Sequence, residues 1–169
     1  MRSMTPMTLA DFDTAPVRIS RTMRLRATSE AAFDELGGDP SLWLSTVRRS
    51  VWHSGATGGV DAEREVDVVG FGTFREQMIT WERPHRLAFT MIATTSPLLA
   101  QMGEDWLLEP DGDGVAVTWR IAARATALGR PFTPVLRASA WGMFAMAKAG
   151  LAKRTAWSKT HSARGKQVS

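Results

Sequence analysis

Two acids stand where strand-like segments otherwise carry apolar side chains. Glu76 shares a two-residue register with Phe74 and Met78, and Glu104 with Trp106 and Leu108. If these segments are strands, each carboxylate points to the same face as its apolar neighbours. Arg21 repeats the pattern among Val17, Ile19, Met23 and Leu25. A charge turned into an interior must pair or shift its pKa. An Arg21–carboxylate pair can therefore be a structural bridge, or it can orient the polar group of a ligand. Glu76 and Glu104 are the candidates for a catalytic acid or base. A β-bulge would reverse the register and return any of the three to solvent.

Other chemistries find no support. His53, His85 and His161 are far apart, and none has a second ligand at helical or strand spacing, so no metal site is expected. His85 reads as a turn residue and His53 as a wall residue beside Trp52. The chain has no cysteine, which excludes disulfides, thiol nucleophiles and thiolate metal sites. No nucleophile elbow, phosphate-cradling loop or dinucleotide fingerprint is present, and no cofactor is expected.

The elements that must position these residues follow from periodicity. Val17–Ala27 alternates as a half-buried strand. Ser29–Leu36 is a short helix stopped by Gly37-Gly38, and Asp39-Pro40 opens a second near Ser41–Val47. Strands follow near Ser50–Ser54, Ala62–Val69, Thr73–Glu82, Arg86–Thr94 and Glu104–Glu109. The Asp111-Gly112-Asp113-Gly114 turn leads to a seventh, Val115–Thr126. Thr133-Pro134 caps a final helix running to about Trp157, where Leu136, Ala140, Met143, Phe144, Ala147 and Leu151 recur at helical spacing.

The 169 residues, 44% hydrophobic and 22% charged, suit one soluble domain. No apolar run reaches the roughly 20 residues that span a bilayer, and no secretory h-region opens the chain, so a cytoplasmic location is the default expectation. The expected organisation is a flexible arm over 1–16, one domain over 17–157 and a flexible basic tail over 158–169. Lys148, Lys153, Arg154, Lys159, Arg164 and Lys166 follow one another with no acid between them. Such a stretch can contact an acidic protein, a membrane or nucleic acid. Nucleic acid ranks lowest, because no stacking aromatics beyond Trp157 interleave the charges.

The run from Arg75 to Phe89, containing Trp81-Glu82-Arg83-Pro84-His85-Arg86-Leu87, resembles the strand–W-x-x-P-x-R-L–strand signature of the polyketide cyclase/dehydrase and lipid-transport family. That family belongs to the START-like (SRPBCC) helix-grip superfamily. Ala27-Thr28-Ser29-Glu30-Ala31-Ala32-Phe33 and Trp106-x-Leu108-x-Pro110 extend the resemblance, which covers about Val17 to Trp157. Where the family often has Asp-Pro-Pro, this chain has Glu82-Arg83-Pro84. The resemblance implies an α+β helix-grip fold: a seven-stranded curved antiparallel sheet around the C-terminal helix, with two short helices after the first strand.

It also implies a cavity between sheet and helix. Its expected walls are Arg21, Met78, Phe89, Met91, Trp106, Trp119, Leu136, Ala140, Met143 and Phe144. Strand reversal gathers the connections Gly70–Gly72, Thr95–Gly103 and Ala127–Thr133 at one end, where Phe71, Leu98, Leu99, Met102 and Phe132 are the expected portal. The leading expectation is a carrier or sensor of an apolar small molecule, lipid or polyketide-like. The alternatives are an aromatase/cyclase-type enzyme and a module that docks transiently on protein or membrane.

Overall fold

Val17–Leu25 (β2) alternates buried and accessible side chains along its length, as its sequence dictates, and pairs antiparallel with Gly114–Ala125 (β8) over nine consecutive residues. The computed structural model describes residues 1–53 and 57–165, with side chains as far as Ala156. The other long strands are Val47–Trp52 (β3), Glu63–Val68 (β4), Gly72–Glu82 (β5), Arg86–Thr94 (β6) and Leu99–Asp111 (β7). They form one antiparallel sheet in the order β2-β8-β7-β6-β5-β4-β3, a meander closed by the first long strand.

Ser29–Gly37 (α2) is capped by the Thr28 hydroxyl, which accepts from the Ala31 amide at 3.2 Å. A 3-10 turn at Pro40–Leu42 then leads into β3. The last helix, Thr133–Gly165 (α3), is longer than its periodicity announced. No helix among the described residues is long and apolar enough to cross a membrane. The basic tail expected over 158–169, with His161, lies outside the described side chains.

The family-signature Trp81 has a packing role. Its ring meets Phe33 of α2 edge-on at 5.3 Å and Trp52 of β3 at 6.3 Å, clamping α2 to the sheet. Bulges occur in β5–β6 pairing near Glu76 and between Met78 and Thr80. They leave Phe74, Glu76 and Met78 buried together.

Three expectations need correction. Strand β7 begins at Leu99, so most of the supposed apolar loop before Glu104 is strand, bulged between Leu99 and Gln101 to pair with Ala125 and Arg124. The second short helix is a single 3-10 turn ending before Trp43. Residues 1–16 do not form a loose arm. Arg2–Ser3 (β1) pairs with Ala93 and Thr94 of β6, Met4 joins the main core, and Met7, Phe12 and Ala15 build a second apolar cluster on Ala122. Phe12 belongs to a short helix, Asp11–Thr14 (α1), over the outer face of the sheet. Asp105, fully buried there, accepts two bonds from Arg86 (2.9 and 3.0 Å) and one from Arg120 (3.3 Å).

Helix α3 approaches the 3-10 segment so closely that a methyl group at Gly150 would run into the Trp43 carbonyl, whereas one at Gly142 would meet nothing within 4 Å. Alanine is intrinsically preferred to glycine at both positions by about 1 kcal/mol. We therefore expect Gly142→Ala to raise stability by up to about that amount. Gly150→Ala should lower it by roughly 1–3 kcal/mol through overpacking, a contrast that urea unfolding of the two variants measures.

Candidate functional site

Between the concave face of the sheet and α3 lies a cavity of about 100 Å³. Strands β2–β8 supply most of its wall, with residues of α2, of α3 and of the 3-10 segment and the residues after it completing it. Alternation along each strand sends every second side chain inward, and the inward set is overwhelmingly apolar. Trp106 and Trp119, cross-strand partners on β7 and β8, stack on each other at 4.4 Å with planes 14° apart, and both line the cavity. Trp43 meets Trp106 edge-on at 5.9 Å.

Three charged residues interrupt this surface: Arg64, Glu76 and Glu104, each less than a tenth exposed. Arg64 and Glu76 are direct partners in the β4–β5 ladder. The guanidinium donates from Nε (2.9 Å) and Nη2 (2.7 Å) to Oε2 of Glu76, and from Nη1 to the Gly38 carbonyl at 2.9 Å. Its plane also lies near the rings of Trp52 (5.1 Å) and Phe89 (5.5 Å). Burial raises the pKa of Glu76, and the charge and hydrogen bonds of Arg64 partly oppose this.

Glu104 has no cation bonded to it among the described residues; Trp119 donates its indole N–H to Oε2 at 2.9 Å. Burial, and then the negative charge of Glu76, push its pKa up to about 8. At neutral pH the group is therefore mostly a neutral carboxylic acid, able to donate a hydrogen bond as well as accept one.

The sequence-derived site residues divide cleanly. Glu76, Glu104, Phe89, Met91, Trp106, Trp119, Leu136, Ala140 and Met143 line the cavity, as do Phe71, Leu99 and Met102 towards the loop end. Met78 is buried but belongs to the core beneath it, and Phe144 packs against that core without reaching the cavity. Leu98 and Phe132 do not line it either. Phe132 is exposed, and just before its segment Thr126 is tied to the preceding connection, its amide donating to the Leu98 carbonyl (2.9 Å) and its hydroxyl to the Pro97 carbonyl (2.8 Å).

Arg21 is absent from the cavity wall. Val17 and Ile19 of the same strand line the cavity, but the Arg21 guanidinium meets α3, stacked 3.6 Å from the ring centroid of Trp141. The cation that pairs with an inward acid is Arg64, which the sequence reading passed over. Its signal was the same as that of Glu76, since Arg64 shares register with Val66 and Val68. Trp43 and Leu44 were also missed as lining residues; they follow a one-turn 3-10 helix with no periodicity to reveal their direction.

These features coincide with what the chain is similar to. Residues 16–155 match the model of the family described as "Polyketide cyclase / dehydrase and lipid transport". The chain belongs to that family of helix-grip proteins.

An uncharacterised protein of Mycobacterium tuberculosis is 27% identical over 132 residues, covering 76% of this chain and 78% of the relative. Among solved structures, protein TTHA0849 of Thermus thermophilus superposes with a TM-score of 0.68 at 15% identity, covering 84% of this chain and 99% of that one. Ginseng (Panax ginseng) major latex-like protein 151 superposes with a TM-score of 0.64 at 12% identity, covering 82% and 97%. At such identities these likenesses speak for the fold.

The position of Glu104 has a thermodynamic consequence. The folded state holds a proton up to about pH 8 that the unfolded chain releases near 4.5, so folding stability falls as pH rises through this window, by at most about 1.4 kcal/mol per unit. The contribution is fully present below pH 4.5 and gone above pH 8. Glu104→Gln keeps the shape without the titration. Denaturant unfolding from pH 4.5 to 9 should show the decline in the parent and a flatter profile, with greater stability at pH 8, in the variant.

Proposed function

We propose that this protein binds a compact apolar molecule carrying one polar group between the sheet and α3, as a carrier or sensor. The observation that supports this reading is a cavity whose apolar walls are interrupted by one compensated ion pair and one neutral acid. Trp106 and Trp119 give the ligand apolar surface, and Glu104 offers its polar group a hydrogen bond. Arg64 is already committed to Glu76 and to the Gly38 carbonyl, so a ligand carboxylate gains little there and faces the charge of Glu76.

Size bounds the ligand. A cavity of about 150 Å³ accepts benzene, and drug-sized ligands occupy roughly 300–1,000 Å³. At about 100 Å³ the space here suits a single small ring. A lipid chain or polyketide enters only if α3 moves outward, and the adaptable Met91, Met102 and Met143 at the cavity are suited to such repacking.

Mass spectrometry of organic extracts should find a copurifying neutral ring compound. By calorimetry the purified protein should take up cyclohexanol more tightly than toluene, and Glu104→Leu should erase that preference while retaining toluene. Ala140→Leu, which fills the space from α3, should abolish both. An empty extract together with no uptake of either probe would remove the reading.

A second reading is favoured by one observation: a neutral acid, Glu104, stands beside a carboxylate, Glu76, in a water-poor site, and such pairs divide acid and base roles. An aromatase/cyclase-type step would use Glu104 to protonate a carbonyl oxygen and Glu76 to accept a proton. Glu76→Gln and Glu104→Gln should each then lower turnover of a polyketide-like substrate by about 100-fold or more; unchanged turnover in both would leave only binding.

A further inference from the structure

The outer surface of α3 is built against expectation. A helix packed on a sheet normally turns polar residues to solvent. Here Pro134, Ala138, Trp141 and Ala145, spaced four, three and four residues apart, are all exposed. Trp141 is 57% exposed and Val135 61%, and Leu128 and Phe132 in the preceding segment are 60% and 47% exposed. These are among the largest apolar exposures in the described structure, and they sit together at the start of the gripping helix. Val69, 42% exposed, lies in the β4–β5 turn at the same end of the sheet.

The charge on α3 and the segment leading into it has one sign, although Asp11 faces Arg124 and Asp67 stands two residues before Val69 at the edge of this surface. Arg124, Arg130 and Arg137 are exposed beside or within it, and Arg21 lies stacked on Trp141. No Asp or Glu occurs anywhere from residue 114 to the C-terminus. The last acids before that point, Asp111 and Asp113, belong to the β7–β8 turn at the opposite end of the strands. Large apolar side chains spaced among arginines, with a tryptophan at the boundary, match the chemistry of an anionic bilayer interface, which takes apolar groups at its acyl boundary and cations at its headgroups. An acidic protein surface would satisfy the arginines but leave four large apolar groups to be matched individually.

We propose that this face docks on the surface of an anionic lipid membrane. Docked so, the protein presents the end of the cavity marked by Phe71, Leu99, Met102 and Leu136 to the bilayer, and an apolar ligand passes between the two without crossing water. The proposal does not depend on which molecule the cavity holds.

Flotation of the full chain with vesicles tests it. The protein should float with phosphatidylcholine–phosphatidylglycerol vesicles, stay behind with phosphatidylcholine alone, and be released at high salt as screening shortens the reach of its charges. Phe132→Ser combined with Trp141→Ser should weaken the association about tenfold or more, and Arg130→Glu with Arg137→Glu should do the same. All four positions are exposed, so circular dichroism and cavity binding of toluene should be unchanged. Parent protein that ignores both vesicle types overturns the proposal. So does an aromatic variant that floats as well as the parent, which would assign binding to the basic tail alone. A parent dimer by light scattering that the aromatic variant converts to monomer would assign the face to a second copy and overturn it equally.

Discussion

The pairing of Arg64 with Glu76 sets the character of the interior. Two charges removed from water are costly unless each meets its partner at good geometry, and here both guanidinium bonds fall on one carboxylate oxygen while a third reaches the carbonyl of Gly38. The pair thus ties β4 and β5 to the end of α2 and places the Glu76 carboxyl, with Arg64 beside it, at the cavity wall. Burial first, and then the Glu76 carboxylate, raise the pKa of Glu104, with the charge of Arg64 partly opposing them. Without Arg64, the Glu76 carboxylate would be an uncompensated buried ion and the polarity of the whole cavity would change.

The second determinant is the distance of α3 from the sheet. Small residues allow close approach where the helix crosses the 3-10 segment at Gly150, and Ala140 leaves room where it crosses the aromatic wall. A cavity of this size is neither a filled core nor a lipid tunnel. It is the gap left when a helix is pinned by backbone contact in its middle and by medium-sized side chains towards its start.

The convex side of the sheet is equally organised. Asp105, one residue from Glu104, faces the opposite way and is neutralised by Arg86 and Arg120 beneath the N-terminal segment. Adjacent acids on one strand therefore meet opposite fates: one compensated by two arginines, the other kept neutral. The alternation of a β-strand separates them by a sheet thickness, although they are neighbours in sequence.

Much of this was legible in the residues themselves. Strict alternation in β2 and β8, the Thr133-Pro134 start of α3 and the glycine turns reflect local stereochemistry, and the inward direction of Glu76 and Glu104 follows from parity alone. Parity also contained Arg64. Local patterns do not, however, say which residue of another element a side chain will meet, and Arg21, expected on the cavity wall, ends on Trp141 outside it. Nor do they reveal that residues 1–16 pack on the sheet, since Met4, Met7 and Phe12 carry no periodicity and are buried only by surfaces made elsewhere in the chain. The volume between helix and sheet, and the neutral state of Glu104 that depends on it, belong to the tertiary structure, because both arise from contacts between segments tens of residues apart.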